Sequence, residues 1–166
     1  MRDGLAGCTT RAVAAESPLT RSAIHYYFTS AQEIVDAAME SLLDDFIAGL
    51  RAVAGALDDP VERFWATVDA YRAHFAERPG LALMWFDYAI QTTARGQTAP
   101  SRRIDDAIHS IMRELLVAAG VADAEERSGA LVAYMIGTTM RSLFTERPGA
   151  QLRGELAALS GLPLGP

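Results

Sequence analysis

The chain has 166 residues, half of them hydrophobic and 22% charged, with a formal net charge of -6. That composition supports a sizeable core, in one domain or in a small module fused to a larger one, and excludes a disordered chain. One cysteine, Cys8, excludes an intrachain disulfide and a cysteine-clustered zinc site, and no run reaches the roughly 18 consecutive apolar residues of a membrane span.

Apolar residues recur at helical spacing almost throughout and no segment alternates as a strand does, which predicts an all-α fold. Ser17-Pro18 separates a short helix over about 10–16 from another over about 20–27. Thr29-Ser30 opens a long helix carrying Ile34, Val35, Ala38, Leu42, Phe46 and Leu50 and running to about 56. Ser30 with Glu33 three residues on is a capping-box pattern. Asp58-Asp59-Pro60 starts the next helix, with proline in the first turn, where its missing N–H costs nothing, and Arg78-Pro79-Gly80 ends it. Helices over about 81–94, 101–119 and 123–146 follow, divided by Arg95-Gly96 and Gly120. Arg147-Pro148-Gly149 precedes a short last helix, and residues 161–166 read as a frayed tail. This gives a head, 1–40, and a helical body, 41–166, joined by an unbroken helix through which movement of the body could turn the head.

Charge is distributed unevenly. Residues 1–31 hold three arginines against two acids, whereas the rest hold twelve against nineteen, and there is no lysine. A weakly basic head on an acidic body is compatible with nucleic-acid binding by the head alone. Its two short helices, three or four residues apart, have helix-turn-helix spacing. Thr10 can cap the first and Thr20 the second, and hydroxyls and free N–H groups at such ends can also meet phosphate oxygens. On the second helix Ala23, Ile24 and Phe28 can face inward, leaving Arg21, Ser22, His25 and Tyr26 outward. Arg21 could read guanine or grip phosphate, while Ser22, His25, Tyr26 and Tyr27 can donate to base edges or backbone. The competing reading makes His25-Tyr26-Tyr27 a packed aromatic corner.

The run TTRAVAAESPLTRSAIHYYFTSAQEIVDAAM, from Thr9 to Met39, resembles the DNA-binding head of the tetracycline-repressor family of bacterial regulators. The likeness lies in paired Thr9-Thr10, Val13-Ala14, Leu19-Thr20, then Ile24, Tyr27 and Phe28, then Ser30, Glu33 and Ile34. It covers about residues 9–40; the remainder is similar only as a helical body of suitable length. The resemblance implies phosphate contacts at Thr10 and Tyr27 and in part at Thr20 and Tyr26, groove-facing positions at Arg21, Ser22 and His25, and head-core roles for Ile24 and Phe28. It also implies a palindromic operator, a homodimer and a small hydrophobic or amphipathic effector. The sequence departs from the family pattern in three places. Only MRDGLAG, like the tail end of a helix, precedes the threonine pair, so the head reads as N-terminally incomplete. Pro18 stands where a turn glycine is common, and Ala31 where a lysine is common.

In the body, Phe64, Val68, Tyr71 and Phe75 form a helical stripe with Trp65 beside it, the pattern of a core or of a ligand box. LALMWFDYAI is apolar except for Asp87, whose carboxylate needs a partner if buried. It reads either as an internally bonded group or as the anchor for a cationic or hydroxylated ligand. Trp65, Tyr71, Met84, Trp85, Tyr88 and Met112 could line the same cavity, the methionines adapting to varied shapes. The last two long helices carry Ile104, Ile108, Ile111 and Leu115, then Leu131, Tyr134, Met135 and Phe144, with small Ala130, Ala133 and Gly137 at close-approach spacing. These pack within the chain or, as the resemblance implies, form a two-fold four-helix dimer interface through Ile108, Ile111, Leu115, Ala130, Ala133, Tyr134, Gly137 and Phe144. A dimer would present two heads to half-sites about 34–36 Å apart or at a related spacing.

No nucleophile–base pair, glycine-rich phosphate loop or metal-ligand spacing stands out, so neither an enzyme nor a cofactor is expected. With no apolar signal run after Met1, a cytoplasmic protein is expected. The preferred expectation is a ligand-responsive transcriptional regulator, a repressor that leaves its operator when a small molecule binds the body. The alternative is a small-molecule-binding or dimerisation protein whose truncated head does not bind DNA competently.

Overall fold

Residues 9–18, 20–145 and 147–164 are described by the structure, a computed structural model; the expected partial helix before Thr9 lies outside them. They form α1 (Thr10–Glu16), α2 (Arg21–Tyr27), α3 (Ala31–Ala54), α4 (Pro60–Ala76), α5 (Pro79–Ala94), α6 (Ala99–Ala118), α7 (Ala124–Ser142) and α8 (Gly149–Ser160). The all-α expectation holds, and no described residue lies in a strand. No helix among the described residues is long and apolar enough to cross a membrane.

Local chemistry fixes the helix starts. Thr9, rather than Thr10, caps α1: its Oγ1 accepts from Ala12 N–H at 3.1 Å, and Thr10 is already the first helical residue. Thr20 caps α2 as expected, accepting from Ala23 N–H at 3.2 Å. Between them Ser17 is extended, the conformation that a following proline favours, so Pro18 closes α1 without a left-handed residue there. Ser30 accepts from Glu33 N–H at 3.2 Å, but Glu33 returns its bond to the Thr29 N–H at 2.7 Å, one residue outside the usual box. Asp59 caps α4 by accepting from the N–H groups of Val61 and Glu62, with Pro60 next to it. Pro79 lies in the first turn of α5, so this helix starts two residues earlier than expected. Gly120, at φ +76°, takes the left-handed conformation that ends α6 and lets α7 fold back along it. The seventh helix stops at Ser142 rather than near 146. Its end tightens through i to i−3 bonds from Leu143 and Phe144 N–H.

α3 packs on α4 and α6, α6 packs most extensively on α7, and α8 closes against α7. Their shared core includes Phe46, Phe64, Trp65, Val68, Met112, Leu116 and Leu131. Each large side chain so removed from water contributes about 1.5–3 kcal/mol. A smaller cluster, Val35, Met39 and Tyr88 with Leu42, Met84 and Trp85 beside them, ties the first half of α3 to α5. The described part of the tail is not frayed. Leu162 is buried in the main core, Trp65 Nε1 donates to Pro163 O at 2.9 Å, and the Arg153 guanidinium lies over the Trp65 ring.

Candidate functional site

A cavity of about 430 Å3 opens among α4, α5, α6 and α7. Its aromatic wall is Tyr71 and Phe75 from α4 with Trp85, Phe86 and Tyr88 from α5; Ile104 and Ile108 of α6 and Ile136 of α7 complete the apolar lining. Thr98, Ser101, Arg102 and Asp105 add polar groups around Pro100, and Arg102 and Asp105 are exposed. Size and lining suit a small, largely apolar molecule. A second cavity, of about 390 Å3, shares Trp85, Tyr88 and Pro100 as its wall. It is bounded on the other side by Asp36, Met39, Glu40 and Leu43 of α3 and by Arg103.

The polar groups of the larger cavity are unevenly committed. Tyr88 donates its hydroxyl to Asp36 Oδ1 at 3.0 Å, and burial together with the Asp36 carboxylate pushes its phenol up to about 12. Asp36 also accepts from Gln32 Nε2 at 2.8 Å, and Arg95 Nη1 donates to Gln32 Oε1 at 2.9 Å. Tyr88 of α5 and Arg95, just past the end of that helix, are thus bonded into the first two turns of α3. Arg103 of α6 adds a third tie, to Glu40 at 3.1 Å and to Asp44. Tyr71, whose phenol burial pushes up, lies 3.4 Å from Thr139 Oγ1. Trp85 Nε1 is buried and has no hydrogen-bond partner.

The expected ligand residues divide. Tyr71, Trp85 and Tyr88 line the cavity. Trp65 and Met112 do not: both are core side chains, and Trp65 spends its N–H on the tail. Trp65 precedes Tyr71 by six residues, which puts it on a different face of α4. Met84 packs in the α3–α5 cluster, and Asp87 is outside the wall, its Oδ1 accepting from Gln91 Nε2 at 2.8 Å. Phe75 was legible as the next turn of the Tyr71 stripe. Ile136 and Thr139 lie more than sixty residues beyond Phe75 in sequence, and nothing local marks them.

The expected interface residues divide as well. Ile108, Ile111 and Leu115 belong to the intrachain core, with Ile108 also in the cavity wall, so they cannot supply a dimer surface. Tyr134 is half-buried and bonded to Glu155 and Arg147. Ala130, Ala133 and Gly137 are exposed in one stripe of α7, continued by Met140 and by Phe144, which is 72% exposed. Val117 on α6 is exposed too, and His109 and Arg113 on that helix face Glu125 at the start of α7.

The first two helices, α1 and α2, contact each other and Ile24 is buried. Ser22 and His25 are exposed, as are Tyr26 and Tyr27, at 83% and 69%. The two rings meet edge to face, 5.1 Å between centroids, and because they and His25 are exposed they touch each other without packing into a core. Thr10 is half-buried and Thr20 exposed; Arg21 opens α2, with its side chain outside those described.

Among the described residues, no group of three or more His, Cys, Asp and Glu could hold a metal ion. Compared with protein-family models, with curated proteins and with solved structures, the chain has no match.

Proposed function

We propose that the chain is a dimeric, ligand-responsive DNA-binding regulator, a repressor that leaves a palindromic operator when a small molecule fills the cavity. The observation that carries this reading is the hydrogen bond between Tyr88, in the cavity wall, and Asp36, on the helix that follows the exposed face of α2 after three residues. Thr10, Thr20, Arg21, Ser22, His25, Tyr26 and Tyr27 would meet DNA, the hydroxyls and backbone ends holding phosphates and the α2 side chains reading base edges. A second copy would cover the small-residue stripe of α7. The exposed Val117, Met140 and Phe144 beside it support such a partner. A ligand that fits one arrangement of α5 and α6 against α3 better than another would shift the spacing of the two heads by its differential affinity, and no more than that.

The test is selection of genomic fragments by the purified protein at two salt concentrations. Enrichment of a palindromic site, with affinity falling steeply as salt rises, supports the reading. If Tyr26→Phe plus Tyr27→Phe leaves that affinity unchanged, the assigned face is wrong; absence of any enriched site overturns the regulator reading. A second reading, a small-molecule-binding or dimerisation protein without a competent head, is favoured by the thin core of the first two helices. α1 has no buried residue, and on α2 only Ile24 is buried among the described side chains.

A further inference from the structure

The second cavity, of about 390 Å3, has a charge pattern unlike that of the first. One side is apolar and polarisable, with Met39 of α3 facing Trp85 and Tyr88 of α5. The other carries the carboxylates of Asp36 and Glu40, one helical turn apart on α3. Among its described lining residues Arg103 is the only cation, and Glu40 holds that guanidinium at 3.1 Å while Asp44, outside the lining, holds it too. Asp36 is the unbalanced group. It is half-buried, lines this cavity and not the larger one, and belongs to none of the ion pairs of the described residues. Its donors, Tyr88 and Gln32, are both neutral and both reach Oδ1, and Oδ2 is not sealed from solvent. A carboxylate that has lost part of its water gains most from a cation that donates to it. The aromatic faces add to that attraction, since a ring draws a cation held within about 6 Å of its centre. Arg103 shows the same preference from within the chain: it is an organic cation seated on the α3 carboxylates at the rim of this cavity. An anion would meet two like charges there, and a neutral molecule would cover Asp36 without compensating its charge.

We propose that the second cavity binds a primary organic ammonium ion, with its N–H donors on Asp36 Oδ2 and Glu40 and its apolar group against Met39, Trp85 and Tyr88. Glu40 is then shared, so Arg103 is a built-in competitor, and the ligand loosens one of the two ties by which Arg103 fastens α6 to α3. This site is separate from the larger cavity and does not depend on whether the chain binds DNA.

The experiment titrates three compounds of similar size into the full chain at pH 7 and low salt: 2-phenylethylammonium, 2-phenylethanol and 3-phenylpropionate. By calorimetry the ammonium compound binds about tenfold more tightly than the alcohol, and the carboxylate binds most weakly. With 13C-methyl methionine, the Met39 signal, assigned by its loss in Met39→Leu, moves on binding, while that of Met112, which lines neither cavity, stays in place. Asp36→Asn keeps an oxygen for Tyr88 and removes the charge, which brings the ammonium preference to within about threefold. Arg103→Ala tightens ammonium binding more than Arg102→Ala, the same change in net charge at an exposed neighbour that lines only the larger cavity. If Asp36→Asn does not fold, Glu40→Gln takes its place. Equal affinities for ammonium and alcohol, or no binding of the ammonium compound at millimolar concentration, overturn the site. So does binding that leaves the Met39 signal unmoved or keeps its full preference in Asp36→Asn, because the ligand then sits elsewhere. Equal tightening by the two arginine variants reduces the effect to the overall acidity of the chain and overturns the role of Arg103 as competitor.

Discussion

Tyr88 on α5 donates a hydrogen bond from its hydroxyl to Asp36 Oδ1 on α3 at 3.0 Å, so a residue of the cavity wall is fastened to the early turns of the helix that follows α2. The bond crosses between two helices that otherwise meet there mainly through a small apolar cluster. Tyr88→Phe keeps that packing and removes the bond, leaving the partly buried Asp36 with Gln32 as its donor. The variant should be about 1 kcal/mol less stable in urea unfolding at pH 7. Under the proposed function it should also bind DNA with less response to a cavity ligand, measured as the ratio of operator affinities with and without that ligand.

The same tyrosine sets a high-pH signature. Its folded value, about 12, lies above the ordinary 10, so the proton is held more tightly in the folded chain. The stabilisation is complete below pH 10 and is lost as pH rises from 10 towards 12. Urea midpoints at pH 9 and pH 11 should therefore fall more for the wild type than for Tyr88→Phe, with Tyr71 and Tyr134 giving both chains a common residual slope.

Near the C-terminal end of the chain, Glu155 pairs with Arg147 and accepts from Tyr134, joining α7, the segment after it and α8. Those partners, Arg147 first, hold its carboxyl down at about 2. The sign is opposite to that of Tyr88: the stabilisation is present above pH 4.5 and disappears as pH falls towards 2. Glu155→Gln should lower the thermal midpoint at pH 7 and lose less stability than the wild type between pH 5 and pH 3.

Met112 separates a core role from a ligand role. It is fully buried among Phe64, Leu116 and Leu131 of the main cluster and lies outside the cavity wall. Met112→Ala should cost about 2–5 kcal/mol of stability through the void it leaves. In the fraction that remains folded, affinity for cavity ligands should be unchanged by calorimetry; a selective loss of affinity with little change in stability would return Met112 to the ligand set.

The α7 stripe gives a test with opposite signs in the two states. A Cβ at Gly137 meets nothing within 4 Å in the single chain, so Gly137→Ala should stiffen α7 and stabilise the monomer by about 0.5–1 kcal/mol. If a partner helix crosses there, the same methyl should weaken association, and Ala133→Arg should abolish it with helicity unchanged. Sedimentation equilibrium of the three chains decides: a wild type that stays monomeric at high concentration removes the dimer.

The all-helical class and most helix limits were legible in the sequence because their causes are local. Thr20, Ser30 and Asp59 cap the residues that follow them, Pro60 sits where a helix tolerates proline, and Gly120 ends α6 because a left-handed residue is needed there. Periodicity also identified apolar faces, including the Tyr71–Phe75 stripe. It could not say what each face meets. Ile108, Ile111 and Leu115 have the spacing of an interface, yet α6 turns them into the chain's own core. Trp65 and Trp85 are chemically identical, and only the docking of the tail at Pro163 satisfies one and leaves the other bare. Hydrogen-bond and apolar partners from distant segments are assigned by packing, so the sequence determined the helices and their faces, and the tertiary structure decided which faces became core, cavity or surface.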